Sequence, residues 1–265
     1  MAARLFLRLC NAIVNFVLAS CLILAGLYAV YALWDNNQIL AAAVDVQADM
    51  IKLKPEVIPE AEGQSASFEE LLQVNPDVCG WISMDNTRID FPTLQGDSNL
   101  TYINTDVYGN FALAGSIFLD TRCSRDFSDS YSLLYGHHMD NGNMFGDLAL
   151  YKDETFFREN RSGTLILPDN AYQLEIICCM LVDASDDYIF EPQNAQHDIN
   201  GLLQYAETGS VHLNRDVLER AKEAENLQII ALTTCSTEFT DARTIILAVM
   251  VPYTAGGTGG EKNDH

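Results

Sequence analysis

Cys235 and Arg243 share the polar stretch TTCSTEFTDAR near the C-terminal end. Around it lie two apolar runs, Leu227–Leu232 and Thr244–Val251, short and rich in Ile, Leu and Val, which read as buried strands. A thiol at the end of one strand and a guanidinium at the start of the next can face the same cleft. A thiolate beside a fixed cation is a candidate nucleophile. A proton carrier for it stands in YSLLYGHHMDNGNMFG, where a strand runs into Gly136 and then His137-His138. Histidine at a strand end serves as general acid or base near neutral pH. Strand neighbours point to opposite faces, so one of the pair faces any given cleft. On these residues alone, a small buried hydrophobe, a surface arginine and a structural histidine remain the simpler readings. His197 and His212 lie in polar contexts and read as surface residues, and His265 belongs to the tail. The chain has 7 cysteines, at 10, 21, 79, 123, 178, 179 and 235. None forms a CxxC pair or a zinc-ligand spacing, so no metal site is expected. Apart from Cys235 most read as small buried hydrophobes, with a disulfide left open.

The elements that must position these residues are short. Ser67-Phe68-Glu69-Glu70 has a capping-box pattern and opens a helix ending near Asn75-Pro76. Trp81–Met84 and Thr87–Leu94 form a hairpin across Asp85-Asn86, with Pro92 hinting at an edge or bulge. Leu100–Asn104, Ala114–Leu119 and Tyr131–Tyr135 are further strand candidates. Met144–Tyr151 and Thr155–Asn160 read as short helices. Leu165–Leu167 and Tyr172–Val182 make a second hairpin across Asp169-Asn170. Residues 199–208 and 213–225 are helical by period, the second with Asn214 as its cap and Val217, Leu218 and Ala221 on its apolar face. Many short strands with interspersed helices predict a mostly β barrel or sandwich with helical insertions.

The N-terminal part is of another kind. Leu9–Trp34 is 26 residues without a charge, about 39 Å as a helix, enough to cross a bilayer with some tilt. Arg4 and Arg8 before it and Asp35 after it place the N-terminus in the cytoplasm and the rest of the chain outside. Tyr28, Tyr31 and Trp34 suit the outer interface. Leu18-Ala19-Ser20-Cys21 looks like a lipoprotein processing box, but apolar residues continue to Trp34, which favours an uncleaved single-pass anchor. The reading divides the chain into an anchor (1–34), a stalk (35–64), a catalytic domain (65–252) and a flexible tail (253–265). The net charge is −22, and setting Arg4 and Arg8 aside leaves 13 basic against 37 acidic residues, or −24. Such a surface repels phosphate backbones and anionic lipid, so nucleic-acid binding is not expected.

With LLYGHHMDNGNMFGDL, LTTCS and the Arg243 that follows, the chain resembles a sortase, the membrane-anchored cysteine transpeptidase of Gram-positive bacteria. VCGWISM, IDFPTLQ, SNLTYIN and AGSIFLD, in family order, point within that family to class B; together the matching pieces cover roughly residues 66–251. The resemblance implies a closed sortase-like β-barrel with helical insertions behind an N-terminal transmembrane helix. It makes Cys235 the nucleophile, His137 the catalytic histidine and Arg243 the catalytic arginine. Asn99 takes the place of a pocket-lining asparagine; Tyr135, Thr233 and Glu238 are softer candidates for substrate contact. No cofactor is implied, and the acidic calcium site of class A enzymes does not transfer. The implied substrates are surface proteins with a C-terminal sorting signal, an NPxTN-like or related threonine-containing pentapeptide. The implied acyl acceptor is an amine of peptidoglycan precursor (lipid II) or a pilin lysine. Two other readings stand beside this one: a hydrolytic cysteine peptidase, and an inactive sortase-like surface binding module.

Overall fold

The two apolar runs that flank Cys235 are neighbouring strands of one sheet, and the rest of that sheet curls round to meet itself. The structure is a computed structural model that describes residues 2–56, 66–139, 141–235 and 242–253. By packing, the chain divides into Met1–Ala42 and Ala43–His265.

The first unit is the bulk of helix α1 (Ala2–Ile51). It is long and apolar enough to cross a membrane, with a mean hydropathy of 2.3 in its most apolar window. Sequence alone ends the anchor at Trp34, yet the helix runs unbroken through the first part of the expected stalk. In the second unit its last turns join the folded part. Met50 is buried in a cluster with Phe68, Leu71 and Trp81, and the Gln47 side chain donates to the Arg88 carbonyl at 2.9 Å.

Helix α2 (Ala66–Val74) leads into strands β1 (Val78–Met84), β2 (Asp90–Leu94), β3 (Ile117–Leu119) and β4 (Tyr131–His137). A 3-10 helix (Gly146–Lys152) and α3 (Glu154–Glu159) precede β5 (Ser162–Ile166) and β6 (Ala171–Asp183). Then come α4 (Asp187–Phe190), α5 (Pro192–His197), α6 (Ile199–Gly209), β7 (Ser210–Leu213), α7 (Arg215–Glu223), β8 (Ile229–Cys235) and β9 (Ala242–Pro252). Among the described residues the strands follow the order β5-β1-β2-β3-β4-β8-β9-β6, and the β5–β6 pairing closes eight of them into a barrel. Two neighbour pairs, β2–β3 and β4–β8, are parallel. The long strand β6 serves β9 along one edge; its other edge pairs with β5 and then with β7.

This closed, mostly β barrel is the expected fold, and it accounts for the continuous apolar runs. Residues of β8 from Ile229 to Thr234 are buried on both faces, as suits a strand flanked by neighbours and covered outside. Pro92 lies opposite Trp81 on the β1 side and just ahead of the short β2–β3 ladder, which begins at Thr93, so its missing N–H breaks no bond on that side. Val217, Leu218 and Ala221 are the buried face of α7, as expected, although Asn214 caps it without a side-chain hydrogen bond.

The differences have local causes. Leu100–Asn104 is a run of turns, not a strand; its backbone bonds to the Gly115 region, with Ala112 N donating to Asn104 O and Ser116 N to Tyr102 O. Residues 187–197 form α4 and α5, which no apolar period announces. Their starts rest on the Asp186 side chain, which accepts from Tyr188 N and Ile189 N, and on Pro192 in the first turn. His212 lies half-buried on β7 against the Phe157 ring, 5.5 Å between centroids, whereas His197 is exposed as expected.

Candidate active site

The parallel register of β4 and β8 pairs His137 with Cys235. Neighbouring strands lie about 4.8 Å apart, so both backbones reach the same end of the barrel one strand spacing apart. β8 then pairs antiparallel with β9, Thr233 opposite Ile245. Carrying that register on by two residues brings Arg243 level with Cys235. Three adjacent strands thus present His137, Cys235 and Arg243 in one row. Arg243 is half-buried, and its Nη1 lies 3.4 Å from the Thr234 carbonyl. A thiol, an imidazole and a guanidinium at one strand end are the parts of acyl transfer: nucleophile, proton carrier and cation for a developing oxyanion.

The imidazole is held by a backbone carbonyl. His137 Nε2 lies 2.7 Å from the Ile103 carbonyl, and a carbonyl only accepts, which assigns a proton to Nε2 and leaves Nδ1 for proton transfer. Gly115 determines where that carbonyl sits. Its φ is +58°, and a Cβ there would lie 2.3 Å from Ile103 O and 2.7 Å from Tyr102 O. Gly136 acts on the strand itself: a Cβ would meet Ile117 Cδ1 at 2.4 Å and the Phe145 ring at 2.7 Å. Those side chains pack flat on the strand immediately before the histidine. His138 is half-buried and bridges to Met144.

Two of the expected contact residues meet at one carboxylate that sequence reasoning missed. Asp120, fully buried after β3, accepts from Asn99 Nδ2 at 2.9 Å and from the Tyr135 hydroxyl at 3.1 Å. Tyr135 also stacks on Phe118 with 5.2 Å between ring centroids. Arg122 pairs with the same carboxylate through Nε at 2.9 Å and Nη2 at 2.8 Å. Burial pushes the Asp120 carboxyl up, but hydrogen bonds and charge from Arg122, with the Tyr135 hydroxyl, outweigh it and hold the group below its ordinary 3.8. Nothing in the sequence marks this aspartate among the chain's 37 acidic residues. Thr233 is fully buried, its hydroxyl 3.4 Å from the Thr234 carbonyl. Glu238 lies outside the described residues. Among the described residues no group of His, Cys, Asp or Glu is arranged to hold a metal. The six described thiols, including Cys79 and Cys123, are free. Burial pushes the thiols of Cys79 and Cys123 up to about 12, which leaves them inert at neutral pH.

No family model matches the chain. It is 31% identical over 172 residues to sortase B of Listeria monocytogenes, covering 64% of this chain and 68% of that protein. It is 29% identical over 182 residues to sortase B of Staphylococcus aureus, 69% of this chain and 72% of that protein. Among solved structures, a Streptococcus pyogenes class B sortase involved in pilus biogenesis is similar with a TM-score of 0.63 and 33% identity, over 70% of this chain and 98% of that one.

Proposed function

The chain belongs to the class B sortases, and from that premise we propose that His137, Cys235 and Arg243 carry out its sortase-type transpeptidation at the C-terminal ends of β4 and β8 and the start of β9. The observation that carries the reading is the register: His137 is the direct partner of Cys235 across two parallel strands.

The Cys235 thiolate attacks the carbonyl carbon of a threonine in a C-terminal sorting signal. Arg243 stabilises the resulting oxyanion by charge and hydrogen bonds. The C–N bond then breaks, and the leaving amine takes a proton from His137 Nδ1, while Nε2–H stays on the Ile103 carbonyl. The product is a thioacyl enzyme. An incoming amine attacks it, His137 Nδ1 takes the amine's proton, and the thiolate leaves. Asn99 and Tyr135 line the peptide groove, and Thr233 and Glu238 are further candidates for substrate contact. The amine belongs to peptidoglycan precursor or to a pilin lysine. α1 anchors the enzyme in the membrane, and Arg4 and Arg8 keep its N-terminus in the cytoplasm with the barrel outside.

The test is intact-mass analysis of the protein incubated with a threonine-containing sorting peptide, with and without an amine acceptor. A thioacyl adduct on Cys235, and ligated product when amine is present, are expected. An adduct on any other residue, or cleavage by Cys235→Ala, refutes the assignment. Hydrolysed product alone, even at high amine concentration, makes the protein a peptidase instead.

A further inference from the structure

Asp120 has no part in bond breaking, yet the groove converges on it. Its side chain has no exposed surface, and a buried carboxylate is tolerated only when its oxygens are fully paired. Here they are. Oδ1 accepts from the Arg122 backbone N–H and from Arg122 Nε, both at 2.9 Å. Oδ2 accepts from Arg122 Nη2 at 2.8 Å, Asn99 Nδ2 at 2.9 Å and the Tyr135 hydroxyl at 3.1 Å. Gln95 Nε2 fixes the backbone from behind by donating to the Asp120 carbonyl at 3.0 Å.

We propose that Asp120 is a positioning residue for peptide recognition: its carboxylate imposes one orientation on Asn99 and Tyr135, and Arg122 locks the carboxylate to the helical insertion between β6 and β7. The proposal rests on the reading of Asn99 and Tyr135 as groove residues.

The chemistry of the acceptor makes the orientation unique. An ionised carboxylate only accepts. Asn99 therefore turns Nδ2 towards it, and Asn99 Oδ1 takes the Thr121 backbone N–H at 2.8 Å. The carboxamide cannot flip without setting a donor against a donor and an acceptor against an acceptor. One N–H and one Oδ1 lone pair are left for a peptide. The Tyr135 hydroxyl likewise donates inward. Arg122 continues outward, donating through Nη1 to Glu191 at 2.6 Å and through Nη2 to the Phe190 carbonyl at 2.7 Å. The end of α4 is thereby tied to the carboxylate that orients both groove residues.

Asp120→Asn tests this in the full chain, because it keeps the shape and replaces one acceptor with a donor. The KM for a threonine-containing sorting peptide should rise about tenfold or more, the scale of a lost hydrogen bond to a charged group. The kcat should stay within about threefold, and the alkylation rate of Cys235 by a small thiol reagent should not change. A purely structural role would instead lower the folded fraction and kcat together. Asn99→Ala supplies the second arm. If Asp120 acts through Asn99, Asp120→Asn raises KM less in the Asn99→Ala background than in the parent. Fully multiplicative effects overturn the proposal. So does an unchanged KM in Asp120→Asn when Asn99→Ala alone raises it. An unchanged KM in Asn99→Ala refutes the groove reading itself, and the proposal with it. Should Asp120→Asn not fold, Arg122→Ala replaces it: Arg122 is 33% exposed, and its loss removes two of the five bonds. A several-fold rise in KM with the same dependence on Asn99 is expected, and an unchanged KM in folded Arg122→Ala overturns the idea.

Discussion

Replacing Gly115 with alanine should damage both the fold and the reaction, because one glycine places the carbonyl that orients His137. A φ of +58° costs a residue with a Cβ about 1–2 kcal/mol. The added methyl would start 2.3 Å from Ile103 O, so roughly 0.7 Å must be found before the contact reaches the 3.0 Å that real Cβ atoms respect. The obstacle is backbone, not the tip of a flexible side chain, and overpacking of this sort costs about 1–3 kcal/mol. Together the loss is about 2–5 kcal/mol, which for a domain of about 200 residues lowers Tm by roughly 5–20 °C. If the carbonyl moves directly away from the imidazole, the 2.7 Å contact lengthens to about 3.4 Å, beyond the usual hydrogen-bond range. The ring then loses its anchor, and a displacement approaching 1 Å lowers turnover by roughly 10- to 100-fold. Urea unfolding measures the first effect and steady-state cleavage of a sorting peptide the second. A Gly115→Ala protein within about 0.5 kcal/mol of the parent and within twofold in kcat refutes the reasoning.

Cys235→Ala should abolish peptide cleavage, while Cys123→Ala leaves it nearly intact, since the Cys123 thiol is buried and its pKa raised to about 12; equal losses in a cleavage assay sink the assignment. Asp120 links stability to acid. Its folded-state pKa lies below the ordinary 3.8, so the stability it contributes is fully present above that pH and disappears as the pH falls through the folded value. Urea melts of the parent from pH 7 to 2.5 should therefore steepen below about pH 4, and those of Asp120→Asn should show less of that slope; parallel curves count against the burial and pairing described. A chain begun at Ala43 should fold, whereas one begun at Pro55 loses the buried Met50 and about 1.5–3 kcal/mol, which equilibrium unfolding of the two proteins will compare.

Much of this protein is written locally. Apolar runs of the right length specify β8 and β9 because a strand buried on both faces needs nothing polar along it. The long uncharged N-terminal run specifies a helix able to span a membrane for a similar reason. Cys235, His137 and Arg243 stand out in the sequence because a thiol, an imidazole and a guanidinium at strand ends carry chemistry that their neighbours do not. The resemblance to the sortase motifs relates them to one another. What local sequence could not supply was the pairing. That His137 lies opposite Cys235 depends on two strands far apart in the chain meeting in parallel register, and strand register is settled by long-range packing. The turns at Leu100–Asn104 look like a strand by composition, but they fold back on Gly115 because their backbone groups find partners there. The Ile103 carbonyl that orients the imidazole belongs to the main chain, which every residue has, so no residue type announces it. Asp120 is one acid among 37. Only the tertiary structure encloses it and brings Asn99, Arg122 and Tyr135 to its oxygens, because a buried carboxylate is distinguished from a solvated one by its neighbours and not by its own identity.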